Sequence, residues 1–385
     1  MASRMESFCC LLASLFPKVF CIGVVTWALF VLLLLITPDM ADAYGSAITY
    51  TLVVLELVLY TLIIYSYFLV IRVGPGSPLD YPELRIRNIQ SLRPQNVTKI
   101  TSTVDGEGRH EDTEGPMDES LLDPSHESPY DDPSVPFLSN TDELVAPESP
   151  PTEFMTVHSK RGGGVVFCTK CLVWKPDRTH HCSSSGKCIL RMDHYCPWFT
   201  TCIGYFNHKF FVQFLVYVSI YSGLLFGASL AVLWRFFTGE VYKTGQFLSI
   251  NVVVLFVLAA AFGGATAVFA GFLVYLVLRN KTTLELHEAN WDKGFQYEFN
   301  KNEKVGNIYD LGWKRNWTSI MGETWAHWLL PVAATSRSIH AKNNGINFDV
   351  DEEMYERFCQ QSQLQSQLNQ QLQEYGQRRR DARQN

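Results

Sequence analysis

Four long stretches of this 385-residue chain are almost without charge. Residues 19–36, 210–234 and 248–278 hold no Asp, Glu, Lys or Arg, and 50–71 holds only Glu56. A conducting path needs ionisable side chains inside the membrane, so their near absence argues against a channel or transporter. Net charge is small as well, -6 from 32 Lys+Arg and 38 Asp+Glu. That balance excludes a general affinity for nucleic acid or another polyanion. A secreted disulfide scaffold is also disfavoured. The ten cysteines are not spread as a framework; six crowd into residues 168–211 beside histidines, starting at C-x-x-C spacing. Metal binding and thiol chemistry in a reducing compartment use cysteine in this way.

Each uncharged stretch is long enough to cross a hydrocarbon core of about 30 Å. A cleaved leader would have a shorter apolar core, and a second apolar run follows closely, so 19–36 reads as a retained span. The chain is therefore expected to be an α-helical polytopic membrane protein with four transmembrane helices. Basic residues orient it. Arg4, Lys18, Arg72, Arg85, Arg87, Lys209, Arg279 and Lys281 fall on one side, whereas 37–46 has no Lys or Arg. Positive residues favour the cytosol, which puts both termini and the large central loop there.

The resulting division starts with a head, 1–18, followed by spans at 19–36 and 50–71. A loop, 73–160, leads to a cysteine-rich unit, 165–209. Spans at 210–234 and 248–278 precede a C-terminal region, 279–345, and a Gln-rich tail, 346–385. Within the loop, 101–150 carries fourteen acidic residues against one Arg, with seven prolines. Such a segment buries too little apolar surface to offset chain entropy and is expected to be disordered. Trp291, Trp313, Trp317, Trp325 and Trp328 suggest an ordered region near the membrane interface. Gly263-Gly264 suggests a kink or close helix packing in the last span. Leu364, Leu368 and Leu372 suggest one weak helix, and Cys9 and Cys10 are juxtamembrane thiols open to acylation.

The chemistry concentrates in CTKCLVWKPDRTHHCSSSGKCILRMDHYCPWFTTCIGYFNHKFF. Cys168-x-x-Cys171 can chelate one tetrahedral ion if a second pair completes it. His180, His181, Cys182 and Cys188 are the available partners, and spacing alone does not choose among them. Adjacent His181 and Cys182 usually point apart, so one of them serves something else. Asp193-His194-Tyr195-Cys196 carries a second possibility. In an extended segment His194 and Cys196 share a face, and Asp193 orients the imidazole if the chain turns. This is the logic of nucleophile, base and orienting acid. The competing reading makes His194 and Cys196 further metal ligands.

Residues 168–211 resemble the cysteine-rich domain of the DHHC protein S-acyltransferases. The agreement covers C-x-x-C, Lys175-Pro176-Asp177-Arg178, His181-Cys182, Cys188-Ile189-Leu190, Asp193-His194-Tyr195-Cys196-Pro197-Trp198, Cys202-x-Gly204, Asn207 and Phe211. Thr282-Thr283-Leu284-Glu285 resembles the family's TTxE motif, and Gly312 to Asn316 its aromatic C-terminal motif. The family's architecture, four spans with a cytosolic zinc-braced cysteine-rich domain between the second and third, matches as well.

Two positions depart from the family. The third residue of its tetrapeptide is usually His and is Tyr195 here; a cysteine after His181-Cys182 is replaced by Ser185. In the family these two positions join the equivalents of Cys182 and Cys202 in a second zinc site. The resemblance therefore implies one zinc, held by Cys168, Cys171, His181 and Cys188. The Asp-His-Tyr-Cys form resembles a fungal branch of the family.

The activity implied is protein S-palmitoylation by thioester exchange. Cys196, with His194 as base and Asp193 orienting it, would take a long-chain acyl group from palmitoyl-CoA. It would then pass that group to a cysteine of a membrane-associated client. Burying about 14 methylenes at roughly 0.8 kcal/mol each favours the lipid bilayer side for the chain. Lys175, Arg178, His180 and Lys187 are the candidate CoA phosphate contacts, each weighed against a plain solvated charge. Thr282 and Glu285 read as braces. The rival function is a non-catalytic membrane adaptor in which Cys196 never carries an acyl group.

Overall fold

The computed structural model describes residues 2–86, 167–239, 247–287, 307–333 and 344–357, with positions 360, 367 and 371; for 2–14 it describes the backbone alone. The expectations for 101–150, Trp291, Leu364, Leu368 and Leu372, and for the thiols of Cys9 and Cys10, lie outside the described residues. The chain divides into two compact units, Met1–Arg85 with Pro150–Asn385, and Ile86–Ser149. The long helices and the cysteine-rich unit belong to the first.

Among the described residues of this unit, four helical stretches are long and apolar enough to cross a membrane: Leu15–Tyr44, Ser46–Val73, His208–Thr238 and Ile250–Leu278. The first is built from α1 (Ala2–Val31), a π-turn (Leu32–Ile36) and α2 (Thr37–Tyr44). The connection expected at 37–46 is therefore mostly helical. Pro38 sits in the first turn of α2, where its missing N–H costs little. The wide turn before it relieves the clash a proline ring makes with the carbonyl four residues back. Leu32 O there accepts from the Thr37 hydroxyl at 2.8 Å. Gly45, at φ 86°, breaks the helix and lets α3 (Ser46–Val73) begin.

Helices α4 (His208–Thr238) and α5 (Ile250–Leu278) complete the bundle. Gly263 is a point of close approach: a Cβ there would lie 2.7 Å from Ser222 Cβ on α4. Of the two readings of Gly263-Gly264, close packing is the one realised. One apolar core joins Leu32, Ile36, Leu59, Ile63, Tyr221, Leu225, Val252 and Leu255. A second joins Tyr67, Val70, Phe199, Phe211, Leu273, Leu276, Ile320 and Met321, and it includes Cys196.

The cysteine-rich unit, between the second and third of these stretches, is three antiparallel hairpins. β1 (Phe167–Cys168) pairs with β2 (Val173–Trp174), β3 (His180–Cys182) with β4 (Lys187–Ile189), and β5 (His194–Cys196) with β6 (Thr201–Ile203). Strands this short cannot stand alone. They are pinned to the end of α3, where Gly76 O accepts from Leu190 N at 3.1 Å and Pro75 O from Phe206 N at 3.2 Å. Gly76 has φ 83°, and a Cβ on it would meet Phe206 Cδ2 at 2.4 Å. Asn207 closes the junction. Its amide donates to Val70 O and Cys202 O at 3.2 and 3.0 Å, and its oxygen accepts from Gly204 N at 2.9 Å.

Beyond α5 the chain folds back through α6 (Trp313–Met321) and α7 (Trp325–Leu329). Buried Asn316 donates to Leu278 O at 2.8 Å and accepts from Leu311 N at 3.0 Å.

Candidate active site

Cys196 ends β5 only 5% exposed, inside the apolar cluster where the bundle meets the hairpins. Two residues earlier on the same strand, His194 hydrogen-bonds the Cys196 thiol. On its other side His194 Nδ1 lies 2.7 Å from Asp193 Oδ2. Rings from two helices fix the imidazole, Phe211 at 5.3 Å and Phe269 at 6.3 Å between centroids. The turn that the sequence pattern requires at Asp193 is therefore made.

Asp193 is almost fully buried, and burial alone would raise its pKa. Hydrogen bonding to His194, the nearby His208 and Thr283 outweigh that and hold the carboxyl well below the usual range. Thr283 supplies two bonds, its N–H to Oδ1 at 2.8 Å and its hydroxyl to Oδ2 at 2.9 Å. For His194, burial pulls the pKa down. The bond to Asp193 and the bond and charge of Cys196 push it the other way, leaving it at about 9. The arrangement sets the Cys196 sulfur beside a basic imidazole that can take its proton, the setting in which a cysteine becomes nucleophilic.

Sequence reasoning misses Thr283 as a direct partner of Asp193. The only signal is its place in Thr282-Thr283-Leu284-Glu285, a motif with no obvious chemistry of its own. Glu285 behaves as expected of a brace. It takes Arg178 Nε at 2.6 Å and Arg178 Nη2 at 2.9 Å.

That pairing corrects one expectation. Arg178 is buried, with its guanidinium also bonded to Asn280 Oδ1 and Asn280 O at 3.0 and 2.9 Å and lying 4.4 Å from the Tyr309 ring centre. Its donors are turned inward and committed, so it offers no seat to a CoA phosphate. Lys187 is exposed at the start of β4, and Lys175 and His180 are half-buried.

Cys168, Cys171, His181 and Cys188 converge, with all ligand atoms within 4.8 Å of one another. His181 Nδ1 lies 3.6, 3.2 and 3.9 Å from the sulfurs of Cys168, Cys171 and Cys188. Zinc bonds of about 2.3 Å to sulfur and 2.0 Å to nitrogen put tetrahedral ligands roughly 3.5 Å apart. The donor set fits a metal ion of that kind. The register explains how adjacent His181 and Cys182 part company: His181 faces Cys188, whereas Cys182 packs with Ile189, Met192 and Cys202. Cys202 also donates to Ser185 Oγ at 3.5 Å, and Tyr195 packs against the same cluster.

Comparison with known proteins gives this geometry a family. Residues 163–290 match the DHHC palmitoyltransferase family model. Palmitoyltransferase PFA3 of Debaryomyces hansenii is 45% identical, covering 97% of this chain and 91% of that protein. The protein of the same name from Candida albicans is 42% identical, over 99% and 95%. Palmitoyltransferase ZDHHC2 of Mus musculus is 36% identical over 44% of each chain. The chain belongs to the DHHC palmitoyltransferase family and is a protein S-palmitoyltransferase.

Proposed function

We propose that Cys196 is the nucleophile of a two-step thioester exchange, with His194 and Asp193 as its proton carrier and orienting acid. The observation that carries this reading is the contact chain Thr283–Asp193–His194–Cys196. In the first step His194 takes the Cys196 proton, and the freed sulfur attacks the thioester carbonyl of a long-chain acyl-CoA. The carbon–sulfur bond to CoA breaks, and CoA leaves as a thiolate that takes the proton held by His194. In the second step His194 accepts the proton of a client cysteine, whose sulfur attacks acyl-Cys196. The client thioester forms and Cys196 is regenerated. One thioester replaces another each time, so no ATP is required.

The apolar cluster around Cys196 gives the acyl chain a dry place to lie. The clients are membrane-associated proteins with cysteines near the bilayer surface. Lys175, His180 and Lys187 remain the contacts proposed for the CoA phosphates. The basic-residue pattern supports a cytosolic catalytic unit. One zinc, held by Cys168, Cys171, His181 and Cys188, would tie the first two hairpins together. Ser185 and Tyr195, poor ligands for zinc, stand with Cys182 and Cys202 instead of completing a second site.

The test is transfer in reconstituted vesicles. With tagged palmitoyl-CoA and a lipid-anchored cysteine peptide, label should reach the peptide only when intact enzyme is present. Equal labelling of the peptide by the Cys196→Ser protein would overturn the reading.

A further inference from the structure

The segment that follows α6 is unusual in its surroundings. From Thr324 to Ala333 the chain reads TWAHWLLPVA, with no Asp, Glu, Lys or Arg. Trp325 and Leu329 are 69% and 59% exposed, and Leu330 and Val332 are exposed as well. Contiguous apolar exposure of this sort marks a surface that meets something other than water.

Its backbone shows how deep it sits. Gln213 Nε2 donates to the carbonyls of His327, Trp328 and Leu330 at 3.0 Å each. The Tyr217 hydroxyl donates to Leu329 O at 2.9 Å and Lys209 Nζ to Val332 O at 2.8 Å. The three donors recur every four residues on one face of α4, covering about 12 Å of its rise. Gln213 and Tyr217 lie inside the uncharged run 210–234. Water would satisfy these carbonyls at no cost if the segment lay in solvent. A bilayer cannot, so at membrane depth the unpaired carbonyls of a helix's last turn and of the chain beyond it must find donors in the protein. Here one helix provides them.

We infer that residues 325–332 are an interfacial segment set into the bilayer leaflet beside the start of α4, with lipid as the partner of their exposed face. Trp325 and Trp328 suit the headgroup boundary, where aromatic rings with a polar edge are favoured. Exposed Lys314 and Arg315 on α6 add charge matched to lipid phosphates. The segment is also tied to the catalytic cluster. The Trp328 indole N–H donates to Gly322 O at 2.7 Å and its ring meets Trp317 at 6.1 Å. Ile320 and Met321 of α6 pack in the core that holds Cys196. The inference rests on α4 crossing the membrane.

The experiment is photo-crosslinking of the full chain in phosphatidylcholine nanodiscs. Benzoylphenylalanine replaces Leu329 in one protein, Ile220 on the exposed face of α4 in a second, and Lys187 in a third. Lipid adducts at 329 and 220, and none at 187, are expected. A lipid adduct at 220 with only protein crosslinks, or none, at 329 would overturn the inference while leaving the membrane reading of α4 intact. No lipid adduct at 220 would remove both. In a Gln213→Leu background the adduct at 329 should be mostly lost and that at 220 retained. An unchanged yield at 329 would show that the amide does not seat the segment.

Discussion

Thr283 grips both oxygens of Asp193, its N–H bonding Oδ1 at 2.8 Å and its hydroxyl bonding Oδ2 at 2.9 Å, from 90 residues away in sequence. The helical turn after α5 thereby controls a carboxylate that precedes α4 in the chain. Orientation of His194 depends on that carboxylate, so the C-terminal region is mechanically part of the proposed active centre.

Replacing Thr283 with Val should therefore damage catalysis more than folding. A hydrogen bond to a charged group contributes about 1.5–3 kcal/mol, so the autoacylation rate should fall roughly tenfold or more. Thr283→Ser keeps the hydroxyl and should stay near wild type. Initial rates with palmitoyl-CoA would check this, and a Val variant as fast as wild type would contradict it.

The pH dependence of stability follows from His194, whose pKa rises from 6.5 to about 9 on folding. Burial opposes that rise, whereas Asp193 and Cys196 cause it. A raised pKa means that the folded state holds the proton more tightly. The stabilisation is thus complete below pH 6.5 and is lost as pH climbs through about 9. The Tm gap between wild type and His194→Gln should be widest at the acid end of that window and should narrow across it. A gap that widens with pH would contradict the assignment.

Arg178 separates bracing from phosphate binding. Removing one partner of a buried ion pair costs about 3–5 kcal/mol, so Arg178→Met should lower Tm markedly. Arg178→Lys should not restore it, because an ammonium cannot reproduce the forked contact with Glu285 and Asn280. A CoA contact would behave differently, giving a raised KM for palmitoyl-CoA at unchanged Tm.

Metal content should distinguish the two thiol groups. Cys188→Ser should lower bound zinc and destabilise the hairpins, whereas Cys182→Ser should leave zinc unchanged. Elemental analysis reading two equivalents per chain would contradict the single site proposed.

The parts of this protein written in local chemistry are legible without its fold. Length and lack of charge announce the four apolar helices. Asp193, His194 and Cys196 lie within four residues of one another, so their cooperation needs only a strand and a turn. The convergence of Cys168, Cys171, His181 and Cys188 follows from hairpin spacing once the family pattern selects among the candidates. What stays hidden is set by contacts distant in sequence. Nothing near Arg178 reveals that Glu285, 107 residues on, will claim it. A lysine, arginine or histidine beside a cysteine cluster looks the same whether it faces solvent or a carboxylate. The helical connection at Thr37–Tyr44 is hidden for another reason: two aspartates and a proline suggest a loop, but a π-turn absorbs the proline and lets the helix continue.

The central claim is that an acyl group resides on Cys196, and peptide mapping tests it most directly. Purified enzyme would be incubated briefly with palmitoyl-CoA, digested, and analysed by mass spectrometry with and without hydroxylamine. The account predicts a hydroxylamine-sensitive palmitoyl adduct on the peptide carrying Cys196, absent from Cys196→Ser and much reduced in His194→Gln. An acyl group found only on another cysteine, with Cys196 free in a protein that still transfers to its client, would contradict it.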